Sequence, residues 1–344
     1  MAIQVTDKKQ KKADIVAVAK AARVSISTVS RSYNHPEQVK LATRKKIDAA
    51  VRKLGYIRNR AAQTMHGIRS GTIGLIVPTI DHAIFAEVIQ VFSDAVDAQG
   101  FTILVASHGY DLEREYAVLR KFLEHRVDGV ALIGQEHSEE TYQLLESQAI
   151  PAMIIWSFAQ ASRISCVGAD NVAAGRTAAE HLIGLGHFDI GLVFPPTSGN
   201  DRATDRQSGA LAALAQAGIT TPAQWWIEAP YSIADAKEAV LELLQNGPRP
   251  TALLCGNDVL AQGAIYAASR FGLKIPKDIS VIGIGDFKGS KEMEPNLTTV
   301  RLPARRIGLL AGQRLAQSIV HSDMDVFRMR CDIELIVRST CSRV

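Results

Sequence analysis

The sequence predicts two folds in one chain: an all-α helix-turn-helix head, followed by an α/β core built as two doubly wound parallel-sheet lobes. Three observations carry this. The stretch from Asp14 to Asn34, DIVAVAKAARVSISTVSRSYN, holds two short amphipathic helical patterns that meet at a tight turn. Positive charge is confined to the same end: residues 1–70 carry 16 Lys+Arg against 4 Asp+Glu, a net of +12, while the whole chain of 344 residues is only +4. From Gly71 onward, apolar runs alternate with amphipathic stretches, the pattern of parallel sheets covered by helices on both faces.

In the first helical segment Ile15, Val18, Ala19 and Ala22 recur at helical spacing, so one face packs inward while Lys20 and Arg23 stay in water. Asp14 is of N-capping type, and so is Ser25, which opens the second segment. That segment divides into a packing side, Val24, Val29 and Tyr33, and an outer side, Ile26, Ser27, Ser30 and Arg31. The outer side is small and hydrogen-bonding, which suits a major groove. A third helix starts near Leu41 and lines one side with Ile47, Val51 and Leu54, with Tyr56 beyond Gly55. Asn59 to Gly67 reads either as two further helical turns, too short to be stable alone, or as a plain linker. Beyond residue 70 the chain has 23 basic and 31 acidic side chains. A cationic module on an acidic body is the electrostatic footprint of a polyanion-binding domain on a soluble carrier.

In the body, short buried strands are expected at 72–77, 101–106, 129–133, 151–155, 190–194, 252–255 and 280–284. Helical patterns fill the gaps: Phe85 to Ala98 closed by Gly100, Leu112 to Glu124, Ala173 to Leu185 closed by Gly186, and Val259 to Phe271 closed by Gly272. About 270 residues exceed one comfortable sheet, so two lobes are expected. Ligands of open parallel sheets bind outside the carboxyl ends of the strands, and here two such ends face one another across a cleft. The polar residues at those ends are Asp81, Asp170 and Asn171, the loop from Ser198 to Arg202, Arg206, Asn257 and Asp258, and Asp286. For each acid taken alone, a helix N-cap is the stronger reading. Two arginines, Arg202 and Arg206, beside several Asp suit a polyhydroxylated ligand with a carboxylate or phosphate, whose oxygens a guanidinium grips bidentately.

Val18-Ala19-Lys20, Val24-Ser25, Thr28-Val29-Ser30-Arg31, Asn34, Thr43-Arg44, Leu54-Gly55-Tyr56 and Asn59 closely resemble the lactose-repressor family of bacterial transcription factors. The resemblance continues through Gly74-Leu75-Ile76-Val77-Pro78, Val127-Asp128-Gly129, Gly186-His187, Gly256-Asn257-Asp258, Ile275-Pro276-Lys277-Asp278 and Pro295-x-Leu297-Thr298-Thr299-Val300. It implies base-reading positions at Ile26, Ser27 and Arg31, phosphate contacts at Ser25, Thr28, Ser30, Asn34 and Thr43, and a hinge helix over Asn59 to His66 whose Met65 wedges into the minor groove. It also implies a periplasmic-binding-protein-like core in which Arg206 anchors the effector, Asn257 is a polar cleft position and Phe85 is a wall; Tyr231 and Trp156 are further wall candidates. Chain crossovers would fall near Asp170, Arg301 and Phe327. The expected division is a DNA-binding head at 1–58, a hinge or linker at 59–70 and an effector-binding and dimerisation core at 71–344. The N-lobe is then about 71–170 and 302–326, and the C-lobe about 171–301 and 327–344, with a strand Phe327 to Val337 in the C-lobe.

Three departures from the family pattern stand out. Arg23 occupies a turn position that usually holds Gly, Arg58 replaces a Pro and leaves the linker more flexible, and Asp286 in Ile282-Gly283-Ile284-Gly285-Asp286 lies one residue later than usual.

Cys166, Cys255, Cys331 and Cys341 lack C-x-x-C spacing, the nine His are scattered, and no P-loop or G-x-G-x-x-G is present, so no metal and no cofactor is expected. The cysteines should be reduced, and His187 structural. No apolar run is of membrane-spanning length, and MAIQVTDKKQKK has no apolar segment behind its charges, so a cytoplasmic, non-membrane protein is expected. The leading function is a ligand-responsive repressor, not an enzyme. It would bind palindromic double-stranded operator DNA as a homodimer, or as a tetramer, with a sugar, sugar acid such as gluconate, or sugar phosphate as effector. The alternatives are a transport-type sugar-binding protein, opposed by the cationic head, and a sugar-acting enzyme of the doubly wound class, for which no nucleophile–base pair is evident.

Overall fold

The computed structural model describes residues 13–58, 69–81 and 83–344, leaving aside the side chains of 83 and 84. The chain divides into two compact units, Met1–Ser70 and Gly71–Val344. The expected hinge helix over 59–66, with Asn59 and Met65, lies outside the described residues.

Among the described residues the head is three α-helices around one small core. Helix α1 (Ile15–Ala22) starts where the Asp14 carboxylate accepts the Ala17 N–H at 2.8 Å. Helix α2 (Ile26–Asn34) starts where Ser25 Oγ accepts the Thr28 N–H at 3.1 Å. Between them Arg23 sits in the left-handed region at φ 56°, ψ 47°, a strain of about 1 kcal/mol that Gly would avoid. Helix α3 (Leu41–Leu54) ends at Gly55, also left-handed. Val18, Ala19, Ala22, Val29, Ile47 and Ala50 are buried together, with Ile15, Val24, Tyr33, Val51, Leu54 and Tyr56 packed around them.

The second unit contains two six-stranded sheets. The first lobe alternates β1 (Thr72–Val77), α4 (Ala83–Asp97), β2 (Thr102–Ser107), α5 (Leu112–Glu124), β3 (Gly129–Ile133), α6 (Glu139–Gln148), β4 (Ala152–Ser157) and β5 (Ser165–Ala169). The second follows with α7 (Asn171–Gly184), β6 (Ile190–Phe194), α8 (Asp201–Gln216), β7 (Trp226–Glu228), α9 (Ile233–Gln245), β8 (Ala252–Cys255), α10 (Asp258–Phe271), β9 (Ser280–Gly285) and β10 (Thr298–Arg301). Helix α11 (Ala304–His321) then returns to the first lobe, where β4 and α4 are its partners. The strands alternating with helices pair in parallel, as strand–helix–strand alternation requires. One apolar cluster runs from Ile73 and Trp156 in the first lobe to Ile190 and Val300 in the second.

One expectation is corrected. Phe327–Val337 is not a single strand of the second lobe: Arg328–Cys331 (β11) extends the first sheet beside β5, and Glu334–Ile336 (β12) joins the second, antiparallel to β10. The cause is pairing along the edge of β5. Cys166 N–H donates to Phe327 O at 2.7 Å, Phe327 N–H donates to Ser165 Oγ at 3.0 Å, and the Arg328 guanidinium donates to Ser162 O at 2.7 Å. The chain therefore crosses between the lobes at Asp332–Ile333 rather than near Phe327. Strands β5, β7 and β10 are further elements that the apolar-run reading passed over.

Candidate functional site

The outer side of α2 is arranged for recognition. Ile26 is 47% exposed, Ser27 and Arg31 are exposed, and Ser30 is half-buried, while Val29 is fully inside. Ser25 Oγ lies 2.8 Å from both Ser27 Oγ and Thr28 Oγ1, so the hydroxyls form one chain at the start of the helix. Thr43 is half-buried in the first turn of α3. Among the described residues no ion pair engages Lys20, Lys40, Lys45, Lys46 or Lys53, whose charge is left to act on solvent. Asn34 is more tied than expected: its Nδ2 donates to Ser30 Oγ at 3.4 Å and its Oδ1 accepts from Arg58. Arg58 also lies 5.1 Å over the Tyr33 ring, so the loss of proline there is offset by a side chain fastened to the head, not by added freedom.

In the core, α8 carries the two arginines. Arg206 is only 1% exposed, with Nε donating to Asn171 Oδ1 at 2.9 Å and Nη1 donating to Gly256 O at 3.0 Å. Both partners are neutral, and among the described residues no carboxylate lies within salt-bridge distance. Burial pulls the Arg206 pKa below its ordinary value, as expected for a desolvated cation.

Arg202 reaches across to the first lobe. Its Nη1 donates to Ile133 O at 3.2 Å and to Asp201 Oδ1 at 2.6 Å, and its guanidinium is 6.0 Å from the Tyr110 ring centroid. The other oxygen of Asp201 accepts Gln135 N–H at 2.8 Å and Ser157 Oγ–H at 3.1 Å, both from the first lobe. Tyr110 stands 6.2 Å from Tyr231, whose hydroxyl accepts from Asn200 Nδ2 at 3.2 Å. Trp156 and Phe85, both buried, meet edge to face at 6.0 Å. Thus Phe85, Trp156, Arg202, Arg206 and Tyr231 gather at the carboxyl ends of the two sheets.

Four other expected residues have different occupations. Asp170 caps α7, accepting Ala173 N–H at 2.9 Å, and Asn257 caps α10, accepting Leu260 N–H at 2.9 Å. Asp81 is exposed, its own N–H bonded to Thr79 Oγ1. Asp286 is a correction: its two oxygens accept from Arg301 at 2.7 Å and Arg338 at 2.6 Å, which ties β10 to the C-terminal segment and leaves no carboxylate for a ligand. The one-residue shift seen in the sequence is thus filled by an internal ion-pair network. Sequence reasoning missed Tyr110, Gln135 and Ser157, although each lies at a strand's carboxyl end, the rule that found the others.

Beside this cleft a buried carboxylate braces the loop after β3. Glu115 Oε1 is 2.8 Å from His137 Nδ1, whose Nε2 is 2.9 Å from Gly134 O, and His108 Nδ1 is 3.3 Å from Asp111 O. Burial lowers the His108 pKa. His187 is structural, with Nδ1 2.9 Å from Thr251 Oγ1 and Nε2 3.0 Å from Ser280 Oγ. A separate cavity of about 160 Å³ lies at the opposite strand ends, near Pro151, Ser165 and Asp323, away from these groups. Among the described residues there is no group of His, Cys, Asp and Glu able to hold a metal, and no helix long and apolar enough to cross a membrane. All four cysteines are free thiols.

A helix-turn-helix head joined to a two-lobed core with a polar interlobe cleft defines a ligand-gated DNA-binding protein. The model of the bacterial regulatory proteins of the lacI family matches residues 14–59, and that of the periplasmic binding protein-like domain matches 179–341. The HTH-type transcriptional repressor PurR of Proteus mirabilis is 31% identical over 328 residues, 95% of this chain and 96% of that protein. Among solved structures, the lac repressor dimer bound to operator and the anti-inducer ONPF aligns with a TM-score of 0.84 at 27% identity, covering 96% of this chain and all of that one. The transcriptional regulator CelR in complex with cellobiose aligns with a TM-score of 0.69 at 25% identity over 95% of this chain and 99% of that one. The chain belongs to the lacI family of bacterial regulatory proteins. It is a ligand-responsive, DNA-binding regulator of transcription and not an enzyme, and its partners are DNA and a small molecule.

Proposed function

We propose that the effector is a polyhydroxylated anion, a sugar acid or sugar phosphate, bound between the lobes, and that it changes the affinity of a cytoplasmic homodimer for a palindromic operator. The observation that carries the anion is Arg206, a cation held 1% exposed between two neutral partners. A buried charge is costly unless paired, so a carboxylate or phosphate arriving there gains far more than a neutral sugar hydroxyl. A sugar frame fits the remaining surroundings, and the related CelR is in complex with cellobiose. Phe85 and Tyr231 form walls, and Arg202 adds a second guanidinium.

The division of labour we assign gives residues 1–58 to DNA, 59–70 to the hinge and 71–344 to effector binding and dimerisation. Ile26, Ser27 and Arg31 meet base edges. Ser25, Thr28, Ser30 and Thr43 meet phosphates, and Asn34 holds Arg58 toward them. In the hinge Asn59 is assigned a DNA contact and Met65 the minor-groove wedge.

A thermal-shift panel of neutral sugars, sugar acids and sugar phosphates tests the effector class. Stabilisation by acids or phosphates, lost in Arg206→Ala, is expected, with the mutant's affinity down about 30- to 100-fold for a charge-assisted contact. Stabilisation by neutral sugars alone would overturn the assignment.

A further inference from the structure

Trp156, the next-to-last residue of β4, has an unusual backbone. Its backbone is left-handed at φ 82°, its ring is 1% exposed, and its indole Nε1 is a buried donor with no hydrogen-bond partner among the described residues. A bulky residue at positive φ carries backbone strain, and such strain persists where the surroundings over-determine it, as at ligand clamps. An unpaired buried N–H adds a desolvation cost that a wall residue such as Phe would not bear.

A second buried donor with the same defect lies on the facing lobe. Arg202 Nη2 is buried and makes no hydrogen bond of normal length and angle among the described residues, with the Tyr110 ring beside the guanidinium, although Nη1 of the same group has two partners. The two residues are set close by the chain itself. Ile133, which receives Arg202 Nη1, pairs in register with Ile155, next to Trp156. Ser157, the next residue on, bonds to Asp201, Arg202's neighbour, at 3.1 Å. Asn200 Oδ1, just before Asp201 and Arg202, is a buried acceptor with no hydrogen-bond partner among the described residues.

We propose that Trp156 is a hydrogen-bond donor to the effector, not an apolar wall, and that its Nε1 and Arg202 Nη2, one from each lobe, together read acceptor oxygens of a hydroxylated acid. This rests on the cleft being the effector site. It assigns selectivity to two groups outside the Arg206 anchor: a ligand lacking those oxygens leaves both donors unpaired and is rejected. Because the donors belong to opposite lobes, such a ligand also binds the closed arrangement better than an open one.

The test replaces Trp156 site-specifically with β-(3-benzothienyl)alanine, which keeps the ring shape and exchanges N–H for sulfur, alongside Trp156→Phe and Arg206→Ala. Gluconate and glucose 6-phosphate serve as probes in calorimetric titrations. The isostere should melt like wild type and bind the better probe about tenfold more weakly, the value of one lost hydrogen bond in a closed site. Unchanged affinity in the isostere, with Arg206→Ala impaired, overturns the Trp156 assignment and leaves the cleft in place. Unchanged affinity in both variants, or no binding of either probe to wild type, overturns the cleft reading and this inference with it.

Discussion

Asp205 shows how the cleft's crowding reaches a single carboxyl. Burial, then the neighbouring charges of Asp201 and Asp170, push its pKa up to about 6. A carboxyl whose folded pKa exceeds its unfolded value contributes stability at low pH that is lost as pH rises through the folded value. The core should therefore melt higher at pH 5 than at pH 7.5, and Asp205→Asn should flatten that difference, by about 1 kcal/mol once solvent screening is allowed for. Melting curves of both proteins across that range check it, and a mutant with the wild-type slope would refute it. At this scale Arg206 was legible in the sequence because its position in the motif series is fixed, and Arg202 because a cleft loop carries it. Asp286 was not, because Arg301 and Arg338, which consume it, are joined to it only through the folded sheet. Tyr110 was hidden for a similar reason: its partners Arg202 and Tyr231 belong to the other lobe.

Among elements, the pair α7 and α8 decides where the arginines stand. The helices touch backbone to backbone: a Cβ added at Gly175 would lie 1.8 Å from Arg206 O, and one at Gly209 would lie 2.0 Å from Val172 O. Gly175→Ala must push α8 away, at a cost of about 1–3 kcal/mol for overpacking, and carry Arg206 with it. Effector affinity should fall at least tenfold while the head keeps its fold, measurable by calorimetry beside a circular-dichroism melt. Affinity equal to wild type would show that Arg206's placement is not set by this contact. The helices are read in the sequence from caps and periodicity, and Asp14, Ser25 and Gly55 act as those signals imply. The strands it passed over are short or built from small residues: β5 is SCVGA and β7 has three residues, so neither makes an apolar run. The run Phe327–Val337 was divided by Asp332, where pairing partners in two sheets, not local propensity, set the break.

Over the whole molecule, charge is separated by unit, with a net of +12 within residues 1–70 against +4 for the chain. Operator affinity should thus fall steeply with salt, by a log–log slope of roughly −0.9 for each phosphate neutralised. Gel-shift titrations between low and physiological salt measure it, and a slope near zero would contradict DNA contact through the head. The two-lobed architecture was legible because its alternation is long and regular, whereas lobe membership of the last strands was not, since it depends on which sheet edge stands open. That last assignment bears on how the protein is made. The edge strands β11 and β12, one for each sheet, are consecutive in the chain, so neither lobe is complete when its earlier strands have emerged from the ribosome. Both sheets wait, with an open edge, for the same short stretch of late synthesis. An mRNA truncated before the codon for Arg328 would yield not one finished lobe and one damaged lobe but two unfinished sheets, each a template for pairing with a neighbour on the same polysome.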